Sequence, residues 1–219
     1  MNLLALDSSS ENISLSIMHK DKILVDFNRR MNLGASRLLF YLDKYFKEFS
    51  LSLERFDAFV VGSGPGSFTG LRISFSIIKG FALALGKPVI SIGSFLSLAY
   101  PFRKQRCKIA VISDARRNLI YGASFAIKNG IFKKEAIEGL TTVEKFIKNK
   151  NDYFFVTYDE ALRNKIMNSY SGLEFCPENV YPRAEYLLEL AQSRYIDKDF
   201  TPIDKLEPLY LHPKTCQIK

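Results

Sequence analysis

The sequence predicts an α/β protein of two lobes, each a mixed sheet with helices packed on it. Three observations lead there. Apolar strand patterns and amphipathic helix patterns follow one another through the first half in the order β-β-β-α-β-α-β-α. The basic run "RKQRCK", residues 103–108, is the best candidate for a linker, which sets the lobes at 1–102 and 103–219, with the C-terminal tail returning to the first lobe. A strand–Asp–turn–strand plan occurs twice, in "LLALDSSSENISLSI" and "AVISDARRNLIYGASF", with Asp7 and Asp114 at matching positions.

The first lobe opens with a short apolar run, Leu3 to Leu6, closed by the polar turn "DSSSE". "NISLSIM" then alternates, with Ile13, Leu15 and Ile17 on one face, and "ILVDF" follows the turn "HKDK", so three antiparallel strands are expected. Residues 35–49 have helical spacing, with Ser36 as N-cap or first-turn residue and a stripe of Leu38, Leu42, Tyr45 and Phe49. "DAFVVG" reads as a strand buried on both faces. Leu71 to Leu85 is the next helix and "PVISI" the next strand. In the second lobe, "CKIAVISDARRNLIYGASFAI" reads as a hairpin of two long strands. A helix near Thr142 to Lys148, a strand at "YFFVTY", and helices at Asp159–Met167 and Ala184–Arg194 complete the expected elements.

Composition narrows the class. The chain has 219 residues, enough for two cores, and 47% hydrophobic and 25% charged residues are ordinary for a globular protein. Thirty-one Lys and Arg against 23 acids give +8, a surplus compatible with an RNA partner; Arg103, Lys104 and Arg106 are the candidate contacts. Cys107, Cys176 and Cys216 are isolated and form no metal-ligand spacing, as in a reducing compartment. The start "MNLLALDSSS" has no basic segment, and no run approaches the ~20 apolar residues of a membrane helix, so a cytoplasmic protein is expected, with no membrane partner.

The stretch "GSGPGSFTGLR", residues 62–72, joins a strand to a helix. A P-loop would need Lys-Ser/Thr where Leu71 and Arg72 stand. A nucleophile elbow would need glycines where Pro65 and Thr69 flank Ser67. A dinucleotide fingerprint fits loosely, because Gly70 comes one residue late. Two readings remain: a tight strand-to-helix corner capped by Ser67 or Thr69, or a loop facing an anion through Gly64, Gly66 and Ser67. Asp7, with Ser8 and Ser9, either caps its turn or faces a nucleotide and its magnesium. The helix after the glycines is apolar almost all round, and its neighbour is unusually aromatic. They pack on each other in a larger core, or they form a partner interface through Leu38, Leu42, Tyr45, Leu71, Phe75 and Ile78. His19 and His212 are the only histidines and make no catalytic dyad or metal pair, so no catalytic residue and no metal ligand is assigned.

Two copies of such a lobe give the actin-like (ASKHA, ribonuclease H-like) architecture of sugar kinases and Hsp70-type ATPases. In order along the chain, "LLALDSSSENISLSI", "GSGPGSFTGLRIS", "IKGFALALGKPVISI", "SDARRNLIYGASF" and "EPLYLHP" resemble segments of the bacterial TsaB (YeaZ) family. Asp114, Ala115 and Arg116 match that family's D-A-R. The resemblance implies an accessory subunit, without chemistry of its own, in making threonylcarbamoyladenosine beside the anticodon of tRNAs that read codons beginning with A. It implies TsaD and TsaE as partners, tRNA contact through the complex, and a homodimer when alone. ATP and magnesium are used by the complex, and no cofactor is required by this chain. It also implies contact through the two helices of the first lobe. Where relatives commonly have a His before the first helix, this chain has Gly34. The competing readings are a stand-alone actin-like ATPase, a protease-like hydrolase and a free-standing RNA-binding module.

Overall fold

The computed structural model describes residues 1–30 and 37–211. Gly34, Ala35, Ser36, His212 and Cys216 lie outside the described residues. The chain divides into two compact units: residues 1–97 with 182–209, and 98–181 with 210–219. The boundary therefore falls after Ser97, short of the expected 102/103, and Pro182 to Leu209 belong to the first unit.

The first unit holds β1 (Leu3–Asp7), β2 (Asn12–His19), β3 (Lys22–Arg30), α1 (Leu38–Glu48), β4 (Ala58–Gly62), α2 (Phe68–Leu85), β5 (Val89–Ile92), α3 (Ser94–Ala99, which runs past the boundary) and α6 (Ala184–Ile196). Its sheet runs β3-β2-β1-β4-β5. β1 pairs antiparallel with β2 and parallel with β4, so it is central, and all five of its side chains are buried. Alternation explains the two covers. Leu4, Leu6, Phe59 and Val61 face α1 and α2, with Leu38, Leu42, Leu71, Phe75 and Ile78. Leu3, Ala5, Ala58, Val60 and Ile90 face the other way, onto Ala184, Leu187, Leu188 and Ala191 of α6. Both faces of a parallel core must be covered, which is why the strands read as continuous apolar runs.

Helix α2, of 18 residues, is long and apolar enough to cross a membrane. It packs on the sheet, burying Leu71, Phe75, Ile78 and Ala82, and ends at Gly86 in a left-handed cap, φ 63°.

The second unit holds β6 (Lys108–Asp114), β7 (Ile120–Lys128), β8 (Ile131–Thr141), α4 (Val143–Ile147), β9 (Phe154–Val156), α5 (Glu160–Ser169) and β10 (Glu174–Phe175). Its sheet order is β10-β9-β6-β7-β8. Read from β8, that is the first sheet's order repeated: an antiparallel meander, then two parallel strands. β8 and β10 were missed. β8 carries a run of alternating charges, "KKEAIEG", that hides its period of two; β10 has only two residues. Gly122 of β7 admits Phe146 of α4, whose ring lies 2.4 Å from where a Cβ would stand.

Candidate functional site

The site begins where β1 and β4 end side by side. Asp7 is 1% exposed. One carboxylate oxygen accepts from the Ser9 amide at 2.8 Å and the Ser9 hydroxyl at 2.6 Å. The other accepts from the Ser94 hydroxyl at 2.7 Å. Ser94, the first residue of α3, also accepts from the Gly64 amide at 2.9 Å and donates its own amide to the Gly64 carbonyl at 2.9 Å. Burial pushes the Asp7 pKa up, and these hydrogen bonds oppose the shift.

The glycines press against this turn. A Cβ at Gly62 would lie 1.9 Å from an Asp7 carboxylate oxygen, one at Gly66 2.0 Å from the Ser9 carbonyl, and one at Gly70 1.9 Å from the Ser8 carbonyl. The Ser67 amide donates to the Ser9 carbonyl at 2.6 Å, and the Ser8 hydroxyl donates to the Gly70 carbonyl at 2.7 Å. Ser67 caps α2 by accepting from the Gly70 amide at 3.2 Å. Gly64 has φ 92°, a left-handed angle open to glycine.

The six residues expected to face an anion, Asp7, Ser8, Ser9, Gly64, Gly66 and Ser67, are thus brought together, but turned on one another. The amides of Ser9, Gly64 and Ser67 are spent on protein acceptors. These contacts build a tight strand-to-helix corner. Ser94, its fourth strut, was missed, because a lone serine after a strand carries no spacing signal.

The matching turn of the second unit is built differently. Asp114 is exposed and accepts from the Arg116 amide at 3.1 Å. Arg116, Arg117 and Asn118 have φ of 66°, 54° and 60°, three successive left-handed residues without a glycine.

The helical face also differs from expectation. Leu38, Leu42, Leu71, Phe75 and Ile78 are in the core, and Tyr45 is packed partly against it. The exposed apolar side chains of the same helices are Leu39 (54%), Phe40 (64%) and Leu83 (64%), with Phe68 and Phe49 less so. The expected stripe was the inward one, because the strongest 3.6-residue period marks the core side.

Of the basic candidates, Arg103 lies 3.5 Å over the Tyr100 ring and donates to the Tyr100 carbonyl at 2.9 Å. Lys104 is exposed. Arg106 is paired with both carboxylate oxygens of Glu174. Among the described residues no three His, Cys, Asp or Glu come together to hold a metal.

Two units that repeat one five-stranded sheet order define an actin-like, two-lobed α/β protein. A profile of the family described as "TsaD: tRNA N6-adenosine threonylcarbamoyltransferase" matches residues 35–180, and the chain belongs to that family. It is 28% identical to the Haemophilus influenzae tRNA threonylcarbamoyladenosine biosynthesis protein TsaB, over 96% of this chain and 93% of the relative. It is 26% identical to Escherichia coli TsaB, over 96% and 94%. The structure of YeaZ from Pseudomonas aeruginosa aligns with a TM-score of 0.80 at 27% identity, over 96% of this chain and 99% of that one. The motif resemblance to TsaB (YeaZ) therefore extends over nearly the full length.

Proposed function

We propose that this chain is a non-catalytic accessory subunit in threonylcarbamoyladenosine biosynthesis, supporting transfer of the threonylcarbamoyl group to the adenosine beside the anticodon. One observation carries the non-catalytic part: Asp7, the only fully buried acid at a strand end among the described residues, spends both oxygens on Ser9 and Ser94. A carboxylate so engaged is a poor holder of a metal water. The names of the relatives support the pathway.

The chain acts by docking. Leu39, Phe40 and Leu83 offer an apolar face on α1 and α2 to a TsaD-type catalytic subunit, or to a second copy when alone. TsaE completes the assembly, ATP and magnesium serve the complex, and the work is done in the cytoplasm, where tRNA is modified.

Reconstitution tests this. TsaD, TsaE and the enzyme that forms the activated intermediate are combined with threonine, bicarbonate, ATP and unmodified tRNA, with and without this chain. Threonylcarbamoyladenosine, measured by mass spectrometry, should appear only when the chain is present. Product in its absence refutes the accessory role. ATP hydrolysis by the chain alone that dies with Asp7→Asn refutes the non-catalytic one.

A further inference from the structure

We propose that Arg163 anchors a binding site for a small α-amino or α-hydroxy acid, at the end of the second unit's sheet where β9 and β10 stop. The two strands run parallel and end there, at Val156 and Phe175. That is the end of an open α/β sheet at which ligands are held. The backbone beyond them forms an arc. The Cys176 amide donates to the Phe155 carbonyl at 2.8 Å and the Val180 amide to the Thr157 carbonyl at 3.0 Å, so Pro177, Glu178 and Asn179 bulge outward between two closely spaced points. α5 starts beside this arc, with Asp159 accepting from the Leu162 amide at 2.9 Å.

Arg163 of α5 is 8% exposed and stands between the core residues Leu162 and Ile166 in sequence. Its Nη1 donates to the Cys176 carbonyl at 3.2 Å, and no carboxylate among the described residues pairs with it. A buried charge ordinarily comes with a counter-charge. Its other nitrogens are not sealed in. The fully buried side-chain atoms without partners, among the described residues, are Asn12 Oδ1, Ser113 Oγ, Asn179 Oδ1 and Arg183 Nε. Arg163 Nε and Nη2 therefore meet solvent, side by side, on an otherwise buried side chain. That edge is a fork that binds a carboxylate with two hydrogen bonds.

The surrounding charges select the ligand. Asp159 and Glu160 on α5 and Glu178 in the arc flank the one guanidinium. They repel a dianion or a polyphosphate and leave a place for a single negative charge. Asn179 Oδ1, buried in the arc, accepts from nothing, and a ligand donor relieves that cost. The Thr157 hydroxyl, 1% exposed, accepts from the Asp159 amide at 3.0 Å and keeps its own proton to give. A carboxylate with an ammonium or hydroxyl on the next carbon meets these demands together.

The test titrates the full chain, carrying isotope-labelled arginine, with alanine, lactate, acetate and inorganic phosphate at constant ionic strength. The Arg163 Nε–H resonance, assigned by its loss in Arg163→Gln, is followed. Alanine or lactate should shift it saturably with a Kd of about 1 mM or tighter, and acetate should bind about tenfold more weakly. Whichever of the two binds tells whether the donor is ammonium or hydroxyl. Asn179→Ala should bring the binder down to the level of acetate. The binder should raise the Tm of the wild type but not of Arg163→Lys, which keeps the charge and loses the fork. No saturable shift with alanine or lactate overturns the inference. So do equal shifts with all four probes, phosphate binding tighter than acetate, or a ligand-raised Tm that survives in Arg163→Lys. If Arg163→Gln lowers the Tm while no probe affects the wild type, Arg163 is only a clamp on the Cys176 carbonyl, and the site is refuted.

Discussion

A single methyl group decides the glycine corner. Alanine at Gly66 or Gly70 would drive its Cβ to about 2 Å from a backbone carbonyl of the serine turn, where nothing can rotate away. Either change should cost roughly 1–3 kcal/mol or more, read from urea midpoints. Gly80 is the matched control: nothing lies within 4 Å of its Cβ position and it sits inside α2, so Gly80→Ala should stabilise by about 0.5–1 kcal/mol. Asp7 gives a pH signature. Its folded pKa is raised, so the native state holds that proton more tightly than the unfolded chain does. Its contribution is largest below the unfolded value of 3.8 and falls as pH rises toward the folded pKa. The stability difference between the wild type and Asp7→Asn should therefore move against the wild type as pH rises from 4, in urea titrations at several pH values. A slope of the opposite sign would mean that the three hydrogen bonds outweigh burial. The glycines and Asp7 were legible as one region from their strand ends. Their mutual contact was not, because it is made by backbone atoms that no side-chain pattern records.

At the level of the helix, composition told less than direction. α1 and α2 were recognisable from their periods, but the period points to the core. Ile78, fully buried, and Leu83, 64% exposed, lie on the same helix and look equally apolar in sequence. Their substitutions should separate. Ile78→Glu buries an unpaired charge and should cost more than about 4 kcal/mol, leaving little folded protein. Leu83→Glu or Phe40→Glu should stay within about 0.5 kcal/mol of wild-type stability. Either should weaken binding to a TsaD-type subunit at least tenfold, about 1.4 kcal/mol, by calorimetry or pull-down. Normal binding by both would remove the docking role of this face. Among strands, those with apolar runs were readable and β8, whose sequence is broken by charges, was not.

For the whole molecule, the duplicated plan around Asp7 and Asp114 was readable, and it carries through to sheets with one strand order. The assignment of α6 was not. Nothing in its sequence says which of two sheets it covers, since Leu187, Leu188 and Ala191 would suit either; long-range packing decides. Its place makes a prediction. A chain ending at Tyr181 keeps every strand but bares Leu3, Ala5, Val60 and Ile90. It should aggregate or bind hydrophobic dyes. A soluble, cooperative 1–181 fragment would contradict the role given to α6.

That arrangement also sets an order of events at the ribosome. The sheet of the first unit is synthesised early, yet one of its faces is closed by residues that follow Leu98–Tyr181, the bulk of the second unit, in the chain. At bacterial-scale elongation of about 5–20 residues per second, the bare face waits on the order of 10 s for its cover. The nascent protein must therefore carry an open apolar surface while it builds another lobe, which makes it a natural client for chaperones that bind near the exit tunnel.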